Sequence, residues 1–129
     1  ILVEATSFEL LPHLLEKIGK AEEDGSEIAI LVQVIYYQEI GDKKELEKCY
    51  MRASMKYPFY YNLLGNLYFD EYYETNDISY LHKCIDSYYL ADAKGMLNPR
   101  SAKTLIGIFN NHEIPTDEKE MERLKLLAY

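Results

Sequence analysis

Positive charge is scarce in this chain: 14 Lys and Arg stand against 22 Asp and Glu, a formal net charge of −8. An acidic surface does not attract polyanions, so neither nucleic acid nor an anionic membrane is expected as a partner. Glycine and proline are few, 6 and 4 in 129 residues, which disfavours turn-rich β folds and suits long helices. No apolar run approaches the roughly 20 residues that cross a bilayer, so membrane insertion is not expected. No charged segment followed by a cleavage site marks a secretory signal. Catalytic signatures are missing as well. There is no G-x-S-x-G, no Gly-rich phosphate loop and no Cys with a plausibly paired His. The expectation is a protein that is not an enzyme and needs no cofactor. Because the chain begins at Ile1 without an initiator Met, an excerpt of a longer protein is expected.

What is present is globular composition, with 48% hydrophobic and 28% charged residues, in a length that suits one domain. The apolar residues are periodic. Leu46, Cys49, Tyr50 and Ala53 fall at i, i+3, i+4 and i+7, one stripe of an amphipathic helix. Leu81, Cys84, Ile85 and Tyr88 repeat the template, as do Leu11, Leu14, Leu15 and Ile18. Leu11, Leu46 and Leu81 thus open three stripes at a constant interval of 35 residues. A period near 35 residues with two helices per unit is the mark of an α-solenoid.

The expected elements follow from this register and its breakers. A first, unpaired helix covers 11–22, started by Pro12, and helix pairs cover 28–57, 59–94 and 100–128. Gly41 suits the left-handed end of one helix, and Asn98-Pro99 the start of another. Asp117 and Glu118 suit the positive end of the last. The prediction is an all-α chain of about seven helices in antiparallel pairs. One stretch competes: Ile28 to Tyr37 is rich in β-branched and aromatic residues and alone would suit a strand. It has no second strand to pair with, so helix is expected there.

Tyr61, Leu64, Gly65 and Tyr68 resemble the W-x2-L-G-x2-Y signature that opens a tetratricopeptide (TPR) repeat, with Tyr in place of Trp. Leu46, Tyr50, Ala53 and Pro58 resemble the spacing of its second half, and Ile106-Gly107 resembles its Leu-Gly pair. The resemblance implies a short right-handed α-solenoid whose first helices line a concave groove for a peptide or helix of a partner protein. It places Asn62, Asn66, Phe69 and Tyr73 in that groove, extended by Leu31, Ile35 and Gln38 and by Thr104, Ile108 and Asn111. Amides can donate to and accept from a bound backbone, and aromatic rings give rigid contact area. Groove residues of this kind contribute little to stability. The competing class is a structural scaffold or dimerisation segment without a separate ligand, so the partner is another protein or a further copy of the chain.

The glycines of the signature have a physical reading too. Glycine inside a helix costs about 1 kcal/mol relative to Ala and is kept where helices approach closely. Gly65 and Gly107 are both expected at such crossings, with Tyr61 and Tyr68 placed to fill the gap beside Gly65.

Metal and thiol chemistry find little support. His82 and Cys84 diverge by about 200° on a helix, His13 and Glu16 are two ligands only, and His112-Glu113 lies in a loop. All three histidines are expected on the solvated surface, with no metal site. Cys49 and Cys84 sit at equivalent places on helices whose axes should lie about 8–10 Å apart, too far for a disulfide. They are expected as buried free thiols in a reducing, cytoplasmic setting. The acidic runs Glu22 to Glu27 and Asp117 to Glu122 are expected as a loop and a solvated helix start. A second docking surface, for an acidic partner, is suggested by the i+4 ladder Lys44, Lys48, Arg52 and Lys56.

Overall fold

Helices need their first N–H groups satisfied from outside the ladder, and short polar side chains do this here at most of the helix starts. The computed structural model describes residues 12–112 and 114–129, with the backbone alone for Pro12 and His13. Seven α-helices form among them, and no strand. They are α1 (Pro12–Glu23), α2 (Glu27–Ile40), α3 (Lys43–Lys56), α4 (Tyr60–Thr75), α5 (Ile78–Ala93), α6 (Pro99–Asn111) and α7 (Glu118–Ala128). Ser26 caps α2 by accepting from the Ala29 N–H at 3.2 Å, and Asp42 accepts from the Glu45 N–H at 3.1 Å. Asp77, Asn98 and Asp117 cap α5, α6 and α7 in the same way, at 3.0, 2.7 and 2.7 Å. At the far end of α2, Gly41 is left-handed with φ of 72°, and the Asp42 N–H returns to the Tyr37 carbonyl at 3.1 Å.

The all-helical expectation holds, including the contested run Ile28 to Tyr37, which lies wholly within α2. Leu11, the first residue of the earliest stripe, and Glu113 lie outside the described residues, as does the side chain of His13. Among the described residues, no helix is long and apolar enough to cross a membrane.

The chain divides between Ala53 and Ser54 into two compact units, with α3 running across the division. In the first unit α1, expected to stand unpaired, packs along α2. Ala29, Ile30 and Val34 of α2 are buried, and so are Leu46, Cys49, Tyr50 and Ala53, the expected stripe of α3. A polar network joins the three helices. Glu22 of α1 accepts from Gln33 Nε2 of α2 at 2.7 Å and from Arg52 Nε of α3 at 3.1 Å. Arg52 Nη2 also donates to Gln33 Oε1 at 3.1 Å and reaches the Cys49 sulfur at 3.4 Å. Glu22, the last residue of the expected first helix and the first of the acidic run expected as a loop, is a helical residue with two cross-helix partners.

In the second unit α4 packs against α5, α6 against both of them, and α7 against α6. The buried apolar residues are Tyr60, Leu64, Leu67 and Tyr68 of α4, Leu81, Cys84, Tyr88 and Ala91 of α5, and Ala102, Leu105 and Ile108 of α6. Leu124 and Ala128 of α7 complete them. Gly65 does mark a close crossing, but the residue that fills it differs from the expectation. A Cβ at Gly65 would overlap the ring of Tyr88 on α5, not Tyr61 or Tyr68 of its own helix. Tyr88 is wholly buried, and its hydroxyl donates to Asn66 Oδ1, so the ring brings its polar end to a partner. Gly107 marks no crossing: a Cβ there would meet only Asn111 Nδ2, at 3.9 Å.

Candidate interaction surface

The composition of α2 is unusual for a helix with one open side. Its sequence, EIAILVQVIYYQEI, contains two charges, Glu27 and Glu39, and is aliphatic or aromatic nearly all round. One side is buried through Ala29, Ile30, Gln33 and Val34. The opposite side carries Ile28, Leu31, Val32 and Ile35 at i, i+3, i+4 and i+7, and they are 72, 45, 40 and 55% exposed. A surface helix ordinarily puts polar residues on that arc. Leu31, Ile35 and Gln38, the groove residues expected here, are all exposed, and Gln38 Nε2 donates to the Tyr50 hydroxyl at 3.2 Å. Ile28 and Val32 were not among the expected residues. Their spacing with Leu31 and Ile35, at i, i+3, i+4 and i+7, is the signal that could have found them.

The expected groove residues of the second unit do not form one open stripe. Asn62 is fully buried: Nδ2 donates to the carbonyls of Phe59 at 2.9 Å and Met96 at 2.7 Å, and Oδ1 accepts from the Asn98 N–H at 3.1 Å. It ties the entry of α4 to the α5–α6 loop and has no free donor for a ligand. Ile108 is in the core, 1% exposed. Asn66 is half-buried beneath the Tyr88 hydroxyl, and Thr104 is half-buried with its hydroxyl donating to the Arg100 carbonyl at 3.0 Å. Phe69 is half-buried and meets the exposed Tyr73 edge to face at 4.9 Å, while Asn111 is exposed. Asn62 and Ile108 are thus corrected from groove to core. Their helices are buried over a wider arc than one amphipathic stripe suggests, because α4 packs on α5 and α6, and α6 on α4, α5 and α7.

The cation ladder is also divided. Lys44 and Lys48 are exposed, Lys48 pairing with Glu45 at 3.2 Å, and Lys56 lies 5.5 Å from the Tyr57 ring centroid. Arg52 is committed to the Glu22–Gln33–Cys49 network and is not a free docking cation. No family model, no curated protein and no solved structure matches this chain.

Both cysteines are free and buried, and burial raises each thiol, that of Cys84 to about 12. His82 is exposed, whereas His112 is half-buried edge-on against the Tyr72 ring at 5.3 Å, not fully solvated as expected. Among the described residues, no group of three His, Cys, Asp or Glu could hold a metal. On α7, Glu120 accepts from Arg123 Nε at 2.7 Å and from the Tyr89 hydroxyl of α5 at 2.6 Å. Arg123 also grips Asp92 with two hydrogen bonds, of 3.0 and 2.9 Å. A cleft of about 670 Å³ lies between the end of α6 and the start of α7, lined by Phe109, Ile114, Pro115, Asp117, Met121 and Lys125 among others. Of the three carboxylates lining it, Asp117, Glu118 and Glu122, Asp117 caps α7.

Proposed function

We propose that this chain is a protein–protein interaction module that docks a peptide or helix of a partner on the open face of α2. One observation carries the reading: four aliphatic side chains, Ile28, Leu31, Val32 and Ile35, stand exposed in one stripe of a helix whose other side is packed. Contiguous exposed apolar surface of this kind is a recurrent sign of a docking site. Stripes at i, i+3, i+4 and i+7 are also how amphipathic helices are held in grooves. The same proposal takes the helix pairs as a short right-handed α-solenoid of the TPR-like kind in a reducing, cytoplasmic setting. Support comes from the 35-residue register of Leu11, Leu46 and Leu81, from α6 packing on both α4 and α5, and from two buried free thiols.

The test is the double variant Leu31→Ser/Ile35→Ser. If the face is a free docking surface, the melting temperature stays within the range of surface changes, about 0.5 kcal/mol, and selection of helical peptides from a displayed library is lost. A loss of about 2–5 kcal/mol on melting would show instead that these side chains are core, and would end the proposal.

A further inference from the structure

We infer that the occupant of the α2 face is an amphipathic helix whose apolar stripe is flanked at both ends by Lys or Arg. This rests on the interaction-module reading. The aliphatic contacts themselves discriminate poorly among partners, since Ile, Leu and Val accept any apolar stripe of similar width. Charge supplies the selection. On the exposed arc of α2 the charged residues are Glu27 at its start and Glu39 at its end, both exposed. Among the described residues neither enters an ion pair, and no cation lies on α2. The nearest cations in sequence, Lys20 and Lys43, belong to α1 and α3. At 1.5 Å per residue the 14 residues of α2 extend about 21 Å, which a partner helix of about four turns spans.

The same charges disfavour a second copy of this chain. An antiparallel α2–α2 pairing sets Glu27 against the other copy's Glu39 twice, and a parallel pairing sets like against like. Each copy also brings a net charge of −8 to the encounter. A basic helix meets no such opposition at either end.

The experiment selects on the intact chain from a displayed library of idealised helices. Leu is fixed along one stripe, and Lys or Glu is randomised at the flanking positions of each end. The expected result is stripe-dependent enrichment in which Lys exceeds Glu by roughly threefold to tenfold, falling toward unity in 1 M salt. The variant Glu27→Gln/Glu39→Gln should keep the enrichment and lose the Lys preference. Enrichment on the intact chain that is absent on Leu31→Ser/Ile35→Ser but shows no Lys preference would overturn this inference and leave the interaction module standing. No enrichment over that variant would remove both. Sedimentation equilibrium finding a dimer that the same variant dissolves would give the face to a second copy and also overturn the basic-helix assignment.

Discussion

A methyl group on Gly65 would enter the ring of Tyr88, which is fully buried and hydrogen-bonded at its far end to Asn66. Neither the ring nor the α4 backbone can withdraw freely, so Gly65→Ala should cost about 1–3 kcal/mol even though Ala is the better helix former. Gly107→Ala and Gly19→Ala are the comparison, since neither position has a close neighbour. Both should raise the melting temperature, by up to about 1 kcal/mol of stability. Equal melts for Gly65→Ala and Gly107→Ala would show the crossing to be looser than described. Asn62 makes a second residue-scale case. Sequence reasoning placed it in a groove, where replacement by Ala would be nearly silent. Buried with three backbone partners, it should instead cost about 1–3 kcal/mol for each group left unpaired. A circular dichroism melt of Asn62→Ala separates the two, and an unchanged midpoint would return the residue to the surface.

Helix existence and ends were legible because their causes are local. Asn98-Pro99 and Asp117 announce helix starts, Gly41 a left-handed stop, and the 3.6-residue period the packed side of α3 and α5. What stayed hidden depends on neighbours that no single helix records. A lone Asn on α4 reads the same whether it meets water or the α5–α6 loop, and Arg52 reads as one more cation in a ladder until α1 and α2 bring it Glu22 and Gln33. The α5–α7 clasp was hidden for the same reason, and it carries a pH dependence. Hydrogen bonding from Arg123, helped by the Tyr89 hydroxyl, holds the Glu120 carboxyl below its ordinary value near 4.5. A carboxyl held low in the folded state adds stability above its unfolded pKa and loses it as pH falls. The melting-temperature gap between the native chain and Glu120→Gln should therefore be full at neutral pH and close between about pH 5 and pH 3. A gap constant across that window would show that the ionised carboxylate contributes nothing specific.

At the scale of the molecule, low glycine and proline content pointed correctly to helices, while nothing in composition marked the division at Ala53. The second unit holds its own core, from Tyr60 and Leu64 through Leu81 and Tyr88 to Leu105 and Leu124, with the Arg123 clasp between α5 and α7. A fragment of residues 54–129 is expected to give a helical circular dichroism spectrum and a cooperative melt. Gly65→Ala should lower that melt by about as much as in the whole chain. A fragment that is helical but melts without cooperativity would mean that its core is completed by the preceding helices.

The contact between bare backbone at position 65 and the ring at position 88 also constrains how this sequence can drift. Neither residue is free to change first: a side chain at 65 has no room while the ring remains, and a smaller residue at 88 leaves a hole over a helix that glycine has already weakened. A lineage can leave this arrangement only through a poorly stable intermediate or by altering both positions together. Chains descended from a common ancestor with this one should therefore show the two positions either both held or exchanged as a pair, large for small across the same crossing.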